Sequence, residues 1–170
     1  AYIAAERAAG VVPFWKKDVD KTQGAGDVFT HMFKHRADNG MFSASQLKVV
    51  ADYLRKRSGL KKPRLKNLTP YALLSQWQAH EEGGEGIEMM DFWRVYWAAQ
   101  IGLTKAEKLA QVTSFAPSYA NKVFPGVREE NQLLTEVGVE VVIVSNGDQE
   151  LAIAIAPYLG IKPENVVGSH

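Results

Sequence analysis

The clearest chemical potential in this sequence lies in three consecutive residues, Ser145-Asn146-Gly147. They follow Val139-Glu140-Val141-Val142-Ile143-Val144, a short β-branched run that reads as a strand buried on both faces. In open α/β sheets, ligands sit beyond the carboxyl ends of parallel strands. A serine hydroxyl placed there can donate to a phosphate oxygen. Asn146 and Gly147 add amide groups, and a following helix would direct its positive end to the same point. Gly147 allows close backbone approach. The competing reading is that Ser145 and Asn146 only cap that helix.

Three other groups could do chemistry. Asp27, His31 and His35 fall at i, i+4 and i+8, so one helix face could present all three to a metal, or could be a solvated polar face. Phe92, Trp93, Tyr96 and Trp97, with Glu88 and Asp91 nearby, could cage an organic cation through cation–π attraction, or pack a helical core. Arg55, Lys56, Arg57, Lys61, Lys62, Arg64 and Lys66 are dense enough to hold an anion, but they lack interleaved aromatics and read better as a solvated loop.

These groups need elements to position them. Apolar periodicity predicts two helices over 27–58, with Ser43 or Ser45 capping the second and Gly59 ending it. A helix opening at Thr69 or Pro70 runs to Gln78, and Gly83, Gly84 and Gly86 make a turn. An aromatic helix covers Ile87 to Ile101. Thr104 and Glu107 form a capping box for the next helix, which runs to about Phe115. Phe124-Pro125-Gly126-Val127 is a turn before a helix that ends at Gly138. The strand, the Ser145 turn, a helix over Leu151–Leu159 and a second strand from Asn165 make a βαβ unit. A mainly helical region over 1–120 therefore precedes an α/β region over 121–170.

Composition excludes several classes. With 46% apolar and 23% charged residues in 170, the chain is globular and can bury a core. A net charge of +1 gives no general reason to expect nucleic acid or an anionic membrane. The absence of Cys removes thiolate chemistry and leaves the compartment open, cytoplasmic or periplasmic. No apolar run approaches the roughly 20 residues that span a bilayer. Oligomeric state is not legible.

In order and spacing, Phe124-Pro125-Gly126-Val127, the Val139–Gly147 segment and Gly160-Ile161-Lys162-Pro163-Glu164-Asn165-Val166-Val167-Gly168 resemble the haloacid dehalogenase superfamily. The resemblance is to its phosphoserine-phosphatase-like branch, with the phosphorylcholine phosphatases as the nearest type. It implies a Rossmann-like α/β core, here partial, with a large helical cap formed by much of 1–120. It implies a phosphatase acting on a small phosphate monoester, phosphorylcholine-like in the first instance, through an aspartyl-phosphate and with Mg2+. Ser145 would bind the transferring phosphoryl group, with Asn146 and Gly147 shaping its pocket.

The family's nucleophile and general acid sit as Asp-x-Asp after its first strand. Asp18-Val19-Asp20-Lys21-Thr22 has that spacing, but Pro13, Lys16 and Lys17 precede it where an apolar strand is expected. Either Asp18 and Asp20 are that motif or it lies before Ala1. The later motifs would follow His170, so the resemblance implies a partial chain. The alternative in another class is a non-catalytic α/β binding or interaction module with a degenerate site.

Overall fold

The structure is a computed structural model and describes residues 2–18, 23–57, 68–81 and 87–169. It is mostly helical, with a small parallel sheet of three strands. The chain divides into two compact units, Ala1–Val28 with Val112–His170, and Phe29–Gln111.

In the first unit the sheet order is β1-β2-β3, with β1 Phe14–Lys17, β2 Glu140–Asp148 and β3 Val166–Ser169. Val141 and Ile143 of β2 are buried, whereas Val142 and Val144 are only half-buried. The strand is thus sealed fully on one face, not on both as the sequence suggested. Helices α7 (Val127–Glu136) and α8 (Gln149–Ile155) pack on it, and Leu151, Ile155, Leu159 and Ile161 complete the core.

β1 corrects the expected division at residue 120. It pairs in parallel with β2, Phe14 opposite Glu140 and Lys17 opposite Ile143, so the N-terminal segment belongs to the α/β unit. Its neighbours had argued against an apolar strand, and among the described residues it stands at the edge of the sheet, with Phe14, Trp15 and Lys16 exposed, where lysines are tolerated. Pro13 precedes its first residue and takes part through its carbonyl, which accepts from the Glu140 N–H at 2.8 Å. Proline's missing donor therefore costs the ladder nothing. The helix α1 (Tyr2–Ala8) was also not anticipated.

The second unit contains α2 (Val28–Asp38), from Phe29 on, together with α3 (Ala44–Arg57), α4 (Pro70–Glu81), α5 (Met89–Ala98) and the first part of α6 (Lys105–Tyr119). The capping box expected at Thr104 forms, and Ser43, one of the two expected caps of α3, forms another with Gln46. Ser43 Oγ accepts from the Gln46 N–H at 3.2 Å and Gln46 Oε1 from the Ser43 N–H at 2.9 Å. Glu107 Oε2 accepts from the Thr104 N–H at 2.8 Å, and Thr104 Oγ1 from the Glu107 N–H at 3.2 Å. The Thr104 N–H, then its hydroxyl, hold the Glu107 carboxyl below its ordinary range. That stabilisation is complete above the unfolded value and is lost as pH falls through the depressed one. Ser43→Ala is expected to cost about 1 kcal/mol in urea unfolding. α6 runs past the expected end at Phe115, through Pro117 to Tyr119. Buried Phe115, Ala116 and Tyr119 hold the turn where Pro117 removes one backbone bond.

The aromatic residues of α5 build this unit's core. Phe92 is fully buried and stacks on Trp77 at 4.7 Å between ring centroids. Tyr96 is buried edge-on against Phe29 at 4.9 Å. Lys108 Nζ lies 5.7 Å from the ring centroid of Trp97. Phe92 and Tyr96 are therefore packing residues, while Trp93 and Trp97 are half-buried. Gly59, the basic stretch from Lys61 to Lys66 and the turn at Gly83, Gly84 and Gly86 lie outside the described residues.

Candidate functional site

Parallel pairing sends β1 and β2 out of the sheet at the same end. Lys17 is registered with Ile143, so Asp18 comes next on one strand, and Val144 then Ser145 on the other. Asp18 and Ser145 therefore lie one register step apart on neighbouring strands. A carboxylate-bearing and a hydroxyl-bearing residue thus lie on neighbouring parallel strands toward the carboxyl end of the β1–β2 pair, Asp18 exposed and Ser145 half-buried.

The Ser145 segment does not simply end its strand. Val144 pairs with Val167, and pairing resumes at Asp148 with Ser169. Three residues of β2 face one residue of β3, so Ser145-Asn146-Gly147 is a bulge. A bulge re-aims side chains without ending the sheet, which suits a site. Gly168 sits opposite. A Cβ there would lie 2.8 Å from Gln149 Cα, so the close approach of β3 to the start of α8 requires glycine.

Within the bulge, Ser145 Oγ accepts from the Gly147 N–H at 3.1 Å. A hydroxyl that accepts keeps its own hydrogen for donation. The Gly147 amide therefore orients Ser145. A correction concerns α8. Buried Asp148 is its N-cap and accepts from the Leu151 N–H at 3.2 Å. A carboxylate already meets the positive end of this seven-residue helix. Asp148 was legible in principle, as an Asp directly before a helix.

Asp20 and the side chain of Asn146 lie outside the described residues. Among the described residues no group of three or more His, Asp or Glu is gathered that could hold a metal. Asp18 is one carboxylate and Asp148 is engaged as the α8 N-cap, so the described residues do not by themselves complete a magnesium site. Asp27, His31 and His35 do not form a ligand set either. Of the basic cluster, Arg55 pairs with Asp52 at 3.0 Å on the surface of α3.

Two polar residues behind the strand ends escaped the sequence reading. Gln23 and Asn131 are both buried, at 3% and 0% exposure. Gln23 Nε2 donates to the Asp18 carbonyl at 2.7 Å. Asn131 Nδ2 donates to Gln23 Oε1 at 3.1 Å and to the Leu159 carbonyl at 2.7 Å. One signal was available: Asn131 lies four residues after Val127 on the stripe that α7 buries. At the opposite, amino-terminal end of β2, a cavity of about 310 Å³ opens among Arg7, Gly138, Glu140, Lys162 and Asn165.

No family profile matches the chain, and no curated protein matches it. A solved structure is similar to it. That structure is a phosphoserine phosphohydrolase-like protein from Francisella tularensis subsp. tularensis SCHU S4, with 20% identity and a TM-score of 0.49. The alignment covers 92% of this chain and 57% of that one, so this chain spans little more than half the neighbour's length. No helix among the described residues is long and apolar enough to cross a membrane.

Proposed function

We propose that the protein is a phosphomonoester hydrolase of the haloacid dehalogenase type, acting on a small organic phosphate. One observation carries this reading: Asp18 follows β1, and Ser145 lies in the bulge of the adjacent parallel strand β2, one register step away. Asp18 Oδ attacks phosphorus, forming an aspartyl-phosphate as the ester P–O bond breaks and the alcohol leaves with a proton. Water then attacks phosphorus and releases the carboxylate. The Ser145 hydroxyl, oriented by the Gly147 N–H, donates to a phosphoryl oxygen and is most effective where charge grows in the transition state. Asp20 takes the general acid and base role by its position in Asp18-Val19-Asp20. Magnesium is implied by the resemblance alone.

The substrate reading stops at a small phosphate monoester. Phe92 and Tyr96 are core residues, so they lend a choline-bearing ester no support. The test is hydrolysis of p-nitrophenyl phosphate by the full-length gene product, with and without magnesium. Ser145→Ala is expected to lower kcat about 100-fold, the effect of removing one oriented donor. Undiminished activity in Ser145→Ala would remove the assigned role. Phosphate binding without turnover in the native protein would favour the non-catalytic module.

A further inference from the structure

We infer that Gln23 and Asn131 are a positioning pair that sets the backbone at Asp18 for attack on phosphorus. The inference rests on the proposed hydrolase reading for its consequence, and on buried geometry for its substance.

Both amides are withdrawn from water, which is costly unless they are bonded. The bonds run in one direction because carbonyls, which only accept, stand at both ends. The Leu159 carbonyl requires the NH2 of Asn131, at 2.7 Å. That same NH2 then faces Gln23 Oε1, at 3.1 Å. Gln23 must therefore turn its own NH2 toward the Asp18 carbonyl, at 2.7 Å. Neither amide can flip without setting two acceptors or two donors face to face. A fixed carbonyl fixes ψ of Asp18, and with it the course of the chain through the residue that carries the nucleophile.

The support behind Gln23 is rigid. Its carbonyl accepts from the Phe124 N–H at 2.9 Å, Gly24 bridges Val123, and the Ala25 N–H donates to the Lys122 carbonyl at 2.7 Å. A Cβ at Gly24 would collide with the Tyr119 hydroxyl and lie 3.2 Å from the Lys122 carbonyl oxygen. A side chain at position 24 would therefore require Tyr119 and the Lys122 carbonyl to give way.

Packing alone would favour an apolar residue at position 131, since the stripe of α7 already buries Val127. The amide is explained by what its NH2 reaches. Nucleophilic attack is sensitive to displacements of about 1 Å, which can cost about 100-fold in rate. A pair that fixes Asp18 should therefore act on kcat and not on KM.

The experiment uses the full-length product with Gln23→Leu and Gln23→Glu. Gln23→Leu is expected to lower kcat for p-nitrophenyl phosphate about 10- to 100-fold with KM within about twofold. It is also expected to move the Asp18 carbonyl 13C resonance upfield as its hydrogen bond is lost. In Gln23→Glu the buried carboxylate has no proton to give until acid restores one, and burial raises that pKa. The ratio of its kcat to the native value should rise at least about tenfold from about pH 8 to about pH 5. An unmoved carbonyl resonance in folded Gln23→Leu would overturn the inference, as would a pH-independent ratio in Gln23→Glu. The carbonyl measurement needs no turnover, so a native protein inactive on phosphate esters would remove the hydrolase reading while the pair is judged on the resonance. If Gln23→Leu does not fold, the Gln23→Glu resonance, followed through the same acid range, decides in the same way.

Discussion

Asp18→Asn is expected to lower kcat for p-nitrophenyl phosphate by at least about 1,000-fold, with the urea midpoint unchanged. The substitution keeps size and shape and removes the charge and the nucleophilic oxygen, since an amide does not form a stable acyl-phosphate. Asp18 is exposed just after β1, so no core packing changes with it. The bond from Gln23 goes to its backbone carbonyl and survives the change. A large loss of activity in a protein of native stability would therefore report chemistry. Turnover within about tenfold of native would place the nucleophile elsewhere and leave Ser145 beside an ordinary surface carboxylate. The experiment also separates Asp18 from Ser145. Loss of the serine leaves a nucleophile that works on a less well-held phosphate, and loss of the aspartate leaves a phosphate held with nothing to attack it.

Legibility followed the range of the interactions. The segment from Val139 to Gly168 was readable because its signals are local: a β-branched run, a break, an Ala/Ile-rich helix and a second strand. The capping boxes at Ser43 and Thr104 were readable for the same reason. β1 was not, because four residues with two lysines carry no apolar period. Its existence depends on partners more than a hundred residues away in β2, and among the described residues it stands at the edge of the sheet, where exposed positions are free to be charged. The bulge was mistaken for a strand end because only β3 reveals that pairing resumes at Asp148. Gln23 and Asn131 lie 108 positions apart and meet only in the folded chain, so no spacing rule brings them together. At the site, then, Ser145 announced itself locally, whereas Asp18 needed the sheet before its neighbours stopped counting against it.

The helical unit supplies the other large effect, and it tests what the aromatic cluster is for. Phe92→Ala is expected to destabilise folding by about 3–5 kcal/mol, read from urea unfolding. That is a large share of the roughly 5–15 kcal/mol that holds a typical domain together. The ring is fully buried, nearly parallel to Trp77 with 14° between planes, and 5.5 Å from Phe33 between centroids. Trp77 is itself fixed by donation from its indole N–H to Thr30 Oγ1 at 3.0 Å, and Phe33 packs on Phe42 at 4.8 Å. Such a lattice cannot collapse onto the space a phenyl ring leaves, so the cavity term adds to the lost burial. A cation-binding aromatic would behave otherwise. It would keep one face open, its loss would cost little stability, and it would raise KM for a choline-bearing ester alone. If Phe92→Ala shifts stability by less than about 1 kcal/mol while weakening such a substrate, the cluster is a binding surface and the packing described here is not its role. The geometry predicts the opposite pairing, a sharply less stable protein whose preference among phosphate esters is the same wherever it remains folded.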